Sequence, residues 1–237
     1  DLALNAVAQE LHLPAGRSLK TKVLWGQDTS STILQEAQKG YDLIVLGATE
    51  PQPPRGMLFN WLVDRIIQES PCATLVVKSN LPPTENQDEF LAMQRISHIL
   101  VPTSGTEYST YAVEIASTIA AQTGATVTLL HVIDQPPMEY TVFEENTYDT
   151  VMEIAQKIVH QQALLGRNLG AEMKTCVLVG NPEQKILSFA ESEAVDLLVM
   201  GSNIRQISGR VFFGHRVDAI LNKATCPIAL VSPAGQG

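Results

Sequence analysis

Three short apolar runs in this chain end in residues suited to holding a small polar ligand: Pro102-Thr103-Ser104, His131-Val132-Ile133 and Met200-Gly201-Ser202. After the last of them comes a loop, Gly201 to His215, that contains Gly209 and Gly214 and is flanked by Arg205, Arg210 and Arg216. Glycine lets a backbone come close to a phosphate, and the free N–H groups at a helix start attract an anion. Arginine adds charge-assisted contacts. The chemistry on offer is anion capture. The alternative is a glycine-tolerant surface loop whose arginines are solvated, and spacing alone leaves the two level.

Other chemistries find less support. The five histidines (His12, His98, His131, His160 and His215) are scattered, with no i, i+4 pair, so no metal site is expected. His131 lies inside an apolar run and reads as a satisfied core histidine. The three cysteines form no CxxC pair and suit a reducing cytosol. Cys72 and Cys226 open apolar runs and read as small core residues, as does Cys176. Nothing supplies a clear general base or a set of metal carboxylates, so no enzyme is expected. A net charge of −9 argues against nucleic acid as a partner. The longest apolar runs, such as Leu43-Ile44-Val45-Leu46, fall far short of the roughly 20 residues that span a bilayer.

The elements that must position these residues alternate between strand and helix. Apolar runs predict strands at 96–102, 125–133, 173–179, 195–200 and 227–231. Helices are predicted over 107–123, closed by Gly124, and over 146–168. A third follows Asn181 as N-cap with Pro182 as its first residue and runs to Ser192; a fourth covers 215–223. Because the strands are continuous apolar runs, helices must cover both faces of the sheet. That gives an α/β fold: a doubly wound, mainly parallel, five-stranded sheet.

The chain also repeats itself. Adding 154 to positions 20–77 lands, without a gap, on counterparts at 174–231. Lys20-Thr21 matches Lys174-Thr175, Gly26 matches Gly180, Asp42-Leu43 matches Asp196-Leu197, and Gly47 matches Gly201. Val63-Asp64 matches Val217-Asp218, and Cys72 matches Cys226. An ungapped match of this length means two copies of one domain. The second begins near Ile96, and at the same offset the first would begin about 58 residues before Asp1. The expected organisation is therefore an incomplete first copy over 1–79, a polar, proline-bearing linker over 80–95 and a complete second copy over 96–237. The first copy is predicted to hold a helix over 2–13, strands at 19–24, 41–46 and 73–77, and no opening strand-helix-strand portion. The strand at 19–24 is expected to lack its usual neighbours, and its edge then needs cover: the strand at 41–46 slides in, another chain supplies it, or a groove stays exposed.

The element order, the GNPEQKIL segment, the VDLLVMGS strand and the closing CPIALVS strand resemble the universal stress protein family over nearly the whole chain. In nucleotide-binding members of that family, G-x2-G-x9-G-[ST] follows the fourth strand, and an aspartate ends the first. Gly201 and Gly214 match the first and third glycines. Ile204 stands at the second, His215 at the Ser/Thr and Ser104 at the aspartate. The resemblance gives Val132 and Met200 an adenine-lining role, and it groups Pro102, Thr103, Ser104, Gly201, Gly209, Arg210, Gly214, His215 and Arg216 around the nucleotide. The first copy keeps Gly47 but has Glu50, Asn60 and Trp61 at the later motif positions, and no nucleotide is expected there.

What the resemblance implies is a cytoplasmic regulatory module that binds ATP or AMP in its second copy, with no metal. A homodimer is also implied, and relatives with paired domains imply a seam between the copies at the strands 73–77 and 227–231. Also implied is a parent protein in which a bacterial transport domain (antiporter, chloride channel or permease) precedes these residues at the inner membrane. The competing expectation is a docking or dimerisation module of the same fold that binds no nucleotide.

Overall fold

In the computed structural model the described residues are 20–48, 61–78, 96–134, 145–202, 205–207, 210–212 and 215–233. The first copy contributes α1 (Thr29–Ala37), β1 (Leu43–Gly47), α2 (Trp61–Glu69) and β2 (Ala73–Lys78). The second contributes β3 (His98–Pro102), α3 (Glu107–Thr123), β4 (Thr126–Ile133), α4 (Glu145–Asn168) and β5 (Glu172–Val179). It continues with α5 (Pro182–Ser192), β6 (Leu197–Gly201), β7 (Arg205–Ile207), β8 (Arg210–Phe212), α6 (His215–Lys223) and β9 (Ile228–Ser232). The expected helix over 2–13, the linker over 80–95 and the glycines Gly209 and Gly214 lie outside the described residues.

Local chemistry sets the ends of the helices. Thr106 caps α3 by accepting from the Ser109 N–H. Gly124 closes the same helix in the left-handed conformation at φ 75°, its N–H donating to the Ala120 carbonyl. Asn181 caps α5 by accepting from the Gln184 N–H at 3.1 Å, and Pro182 sits at the first turn, where its missing N–H is not needed.

One seven-stranded sheet joins both copies in the order β1-β2-β9-β6-β3-β4-β5. All neighbours are parallel except β2 and β9, which meet antiparallel. This is the expected seam, and its register is self-complementary. Val76 faces Leu230, its own counterpart in the repeat, and Thr74 faces Ser232 while Lys78 faces Ile228. A local two-fold axis therefore passes between Val76 and Leu230.

Alternate residues along the strands feed two cores, one on each face. Leu100, Leu130, Leu198, Met200 and Leu230 pack with Ile220 and Leu221 of α6 and with Val63 and Ile67 of α2. Ile99, Val101, Leu129, Val199 and Val231 pack on the other face with Ala112, Val113 and Ala116 of α3. The small side chains of α3 bring it down onto β6. A Cβ built on Gly201 would lie 1.8 Å from the Tyr108 carbonyl oxygen. Only glycine fits there.

Two sequence expectations need correction. Residues 20–26 form neither strand nor helix. Their counterpart in the repeat is β5, which is a strand because it pairs along its length with β4. Among the described residues no strand pairs with residues 20–24, so their apolar pattern finds no ladder there. The segment 201–215 is also not all loop, since β7 and β8 pair there antiparallel.

Ionic contacts tie the helices of the first copy together. Asp28 caps α1, accepting from Ser31 N (2.9 Å), Ser31 Oγ (2.6 Å) and Ser30 Oγ (2.8 Å), and pairs with Arg65 of α2 at 2.8 Å. Those hydrogen bonds, led by Ser31, hold its carboxyl far below the usual carboxylate range. Glu36 accepts from Lys22, Lys39 and Tyr41, and these bonds, Lys22 first, lower its pKa to about 2. Both groups bind fewer protons folded than unfolded. The stability they contribute is complete above the ordinary carboxylate pKa and is lost as pH falls through the folded value.

Two outcomes are expected. Thermal melts across the acid range will show the melting temperature falling as pH drops from 4.5 toward about 2, and Glu36→Gln will flatten part of that fall. A Glu36→Gln profile parallel to that of the unaltered chain contradicts the assignment. Gly201→Ala will cost about 3 kcal/mol in a denaturant titration, because the obstructing atoms are backbone and cannot swing aside.

Candidate functional site

The chain leaves β3 for β4 on one side, goes out to β5, then returns to β6 on the other side of β3. The strand order thus reverses between β3 and β6, and ligands of such sheets sit beyond the carboxyl ends at that point. The residues ending β3, β4 and β6 are those singled out in the sequence. Pro102, Val132 and Met200 lie two residues beyond Leu100, Leu130 and Leu198, so by strand alternation all three fall on one face of the sheet. Met200 is buried, whereas Val132 and Pro102 are half-buried. Together they make an apolar row at the carboxyl ends of three adjacent strands.

Thr103 is placed differently from the sequence expectation. Its side chain is buried, with Oγ1 donating to Ser109 Oγ at 3.2 Å and accepting from the Gly105 N–H at 3.2 Å. Its backbone N–H donates to the Leu130 carbonyl at 2.9 Å. The Thr103 carbonyl lies 2.8 Å from His131 Nδ1. A carbonyl only accepts, so that nitrogen carries the proton. Thr103 and His131 therefore brace the loop between β3 and α3. Ser104 is exposed, its Oγ 3.2 Å from Thr106 Oγ1.

Arg216 sits in the first turn of α6 and pairs with the Asp134 carboxylate at the end of β4. Both side chains are about half exposed or more, at 64% and 49%. Asp134 thus puts a resident anion at the flank of the crevice, near a helix start that favours negative charge. Sequence reasoning passed over Asp134, although a charge directly after the apolar run of β4 was visible. His215, also in that turn, is exposed. Arg210 has its backbone in β8.

Nothing among the described residues groups three or more histidine, cysteine or acidic side chains into a metal site. The thiols of Cys176 and Cys226 are pushed up, chiefly by burial, which keeps them protonated and unreactive. A cavity of about 750 Å3 lies between α4 and β5, lined in part by Met152, Gln156, His160 and Cys176, away from the strand ends.

Comparison with known proteins bears on this arrangement. The sequence profile of the Universal stress protein family matches residues 1–78 and 95–232. Universal stress protein MJ0531 of Methanocaldococcus jannaschii is 27% identical over 137 residues, covering 56% of this chain and 80% of that protein. The universal stress protein in the QAH/OAS sulfhydrylase 3'region of Thermus aquaticus is 29% identical over 135 residues, covering 56% and 96%. Among solved structures, MJ0577 superposes with a TM-score of 0.51 at 25% identity, covering 58% of this chain and 96% of that one. A putative universal stress protein from Pseudomonas aeruginosa shares the fold over both copies, with a TM-score of 0.63, 16% identity and coverage of 98% and 78%. This chain belongs to the universal stress protein family.

Proposed function

We propose that the chain is a cytoplasmic regulatory module that binds an adenine nucleotide, ATP or AMP, in the crevice between β3 and β6. One observation carries the reading: Pro102, Val132 and Met200 end three adjacent strands on one face of the sheet, at the point where strand order reverses. An apolar base fits that row, and phosphates extend toward the start of α6 and Arg216. The module does no chemistry in this reading. Nucleotide occupancy biases the paired copies between two states, and a linked partner senses the bias. By resemblance alone, that partner is the membrane domain of a bacterial antiporter, chloride channel or permease. The homodimer contact in this reading uses a surface other than β2 and β9, whose edges are already paired with each other.

The second reading is a docking module that binds no nucleotide. It is favoured by Ile204 and His215 at motif positions and by the Asp134–Arg216 pair, which already supplies Arg216 with an anion.

Calorimetry with ATP, ADP, AMP and cyclic dinucleotides separates the two. Heat of binding is expected with ATP or AMP. Asp134→Asn is expected to tighten ATP by about threefold to fivefold, the scale of a released exposed ion pair, while leaving adenosine unchanged. An absence of heat with every nucleotide, in both the unaltered chain and Asp134→Asn, overturns the first reading in favour of the second.

A further inference from the structure

The two-fold relation across the seam of β2 and β9 makes two pairs of positions equivalent. Lys78 faces Ile228 on one side of the axis, and Ser232 faces Thr74 on the other. Adding 154 carries position 74 onto 228 and 78 onto 232, so these are the same places in the duplicated fold filled by different residues. Along their strands all four alternate in step with Val76 and Leu230, which pack with Val63 and Ile67 of α2 and with Ile220 and Leu221 of α6. Both pairs therefore lie on the face of the sheet that those two helices cover.

The first pair is chemically complete. The Lys78 ammonium group donates to the Leu221 carbonyl at 2.9 Å, in the last turn of α6. Carbonyls of a last turn lack partners within the helix and gather partial negative charge, which a cation satisfies. The second pair is not complete. Thr74 and Ser232 are 1% and 2% exposed, yet among the described residues neither Thr74 Oγ1 nor Ser232 Oγ has a hydrogen-bond partner. An unpaired buried hydroxyl is costly, and native interiors rarely leave two of them facing each other. Ile67, 154 positions before Leu221, is buried in the last turn of α2, so the two-fold sets its carbonyl toward Ser232 and Thr74 as that of Leu221 is set toward Lys78.

We infer that a monovalent cation of the size of potassium or ammonium binds between Thr74, Ser232 and the last turn of α2, and does for the second pair what the Lys78 ammonium group does for the first. The groups gathered there are hydroxyl and carbonyl oxygens, and each can offer a lone pair. Neutral oxygens of this kind replace the water shell of a large monovalent ion, whereas calcium and magnesium take carboxylates. A serine and a threonine fill less of an interior than a lysine and an isoleucine, by about four non-hydrogen atoms, which is the room a dehydrated ion needs. The ion joins β2 of one copy to β9 of the other, so its binding strengthens the seam. Its occupancy does not depend on a nucleotide in the crevice between β3 and β6.

Thermal melts of the full chain in potassium, ammonium, sodium and choline chloride at equal ionic strength test this. Choline is too large to enter. The melting temperature is expected to rise saturably with potassium or ammonium, to about 2–4 °C above its value in choline, because the ion binds the folded state alone. Ser232→Lys is expected to supply the ammonium group itself: its melt in choline rises to the potassium value, and the dependence on the ion vanishes. Thr74→Val removes one oxygen and keeps the shape of the side chain. It is expected to weaken the apparent affinity for potassium at least about fivefold, the scale of one lost hydrogen-bonding group. Equal melting temperatures in all four salts overturn the inference in favour of a bridging water. A potassium dependence that survives unchanged in Ser232→Lys or in Thr74→Val overturns it in favour of an ion bound elsewhere.

Discussion

The antiparallel contact between β2 and β9 is the constraint on which the rest depends. Among the described residues, β1 pairs only with β2, and β2 pairs further only with β9. Separated from the second copy, the described strands of the first are a two-stranded parallel pair, too small to hold a core of their own. The seam supplies what is missing. Val63, Ile67 and Val76 enter the same apolar cluster as Leu198, Ile220 and Leu230, and Leu75 enters the cluster on the opposite face. Lys78 crosses the seam to donate to the Leu221 carbonyl at 2.9 Å, a cation set against the last turn of α6. Burial lowers its pKa, which marks how far the ammonium group has been withdrawn from water.

The register of the seam follows from the duplication. When two copies of one strand meet antiparallel about a two-fold axis, each contact is made twice, as at the interface of a symmetric dimer. Here the axis lies at Val76 and Leu230, and the two halves belong to one chain. Symmetry ends outside the seam, because β6 continues into β3, β4 and β5 while β1 ends the sheet. The helices diverge as well. In the first copy Arg65 of α2 reaches Asp28 at the cap of α1; in the second, Lys223 of α6 reaches Glu183 of α5 at 2.6 Å. Neither pair occupies the repeat positions of the other, so the same helix contact has been tied by different residues.

Much of this was legible in the residues, and what was not has a common cause. Helices α3 and α5 carry their caps in their own sequence, as Thr106, Gly124, Asn181 and Pro182. The seam was legible only through the family resemblance, since a repeat shows that 73–77 and 227–231 are equivalent but not that they meet. The segment 20–24 misled because its pattern matches β5, yet a strand exists only when something pairs with it, and partnership is not written locally. The β7–β8 hairpin was missed because three-residue strands are too short to show a period. The placement of Pro102, Val132 and Met200 at strand ends was legible because they close apolar runs, whereas a lining role for Val132 and Met200 came only from the family resemblance. The inward turn of Thr103 and the Asp134–Arg216 pair were not legible, since the second joins residues 82 apart with no local signal.

Gly201 shows how a motif position can be legible and its reason still misread. A glycine that opens a loop after a strand suggests close approach of a phosphate. The structure gives it an obligation that precedes any ligand, because α3 cannot cover Val199 unless the Tyr108 carbonyl passes where a Cβ would be. Glycine would be required there in a chain that bound nothing. Gly201 therefore cannot by itself separate a nucleotide site from a docking module. The weight shifts to groups with no packing duty at the crevice, above all to Arg216 and the Asp134 carboxylate that holds it. A phosphate entering from solvent must compete with that carboxylate for the guanidinium. Both partners are about half exposed or more, so the pair is a weak one, and in the proposed reading it sets a modest cost on phosphate binding.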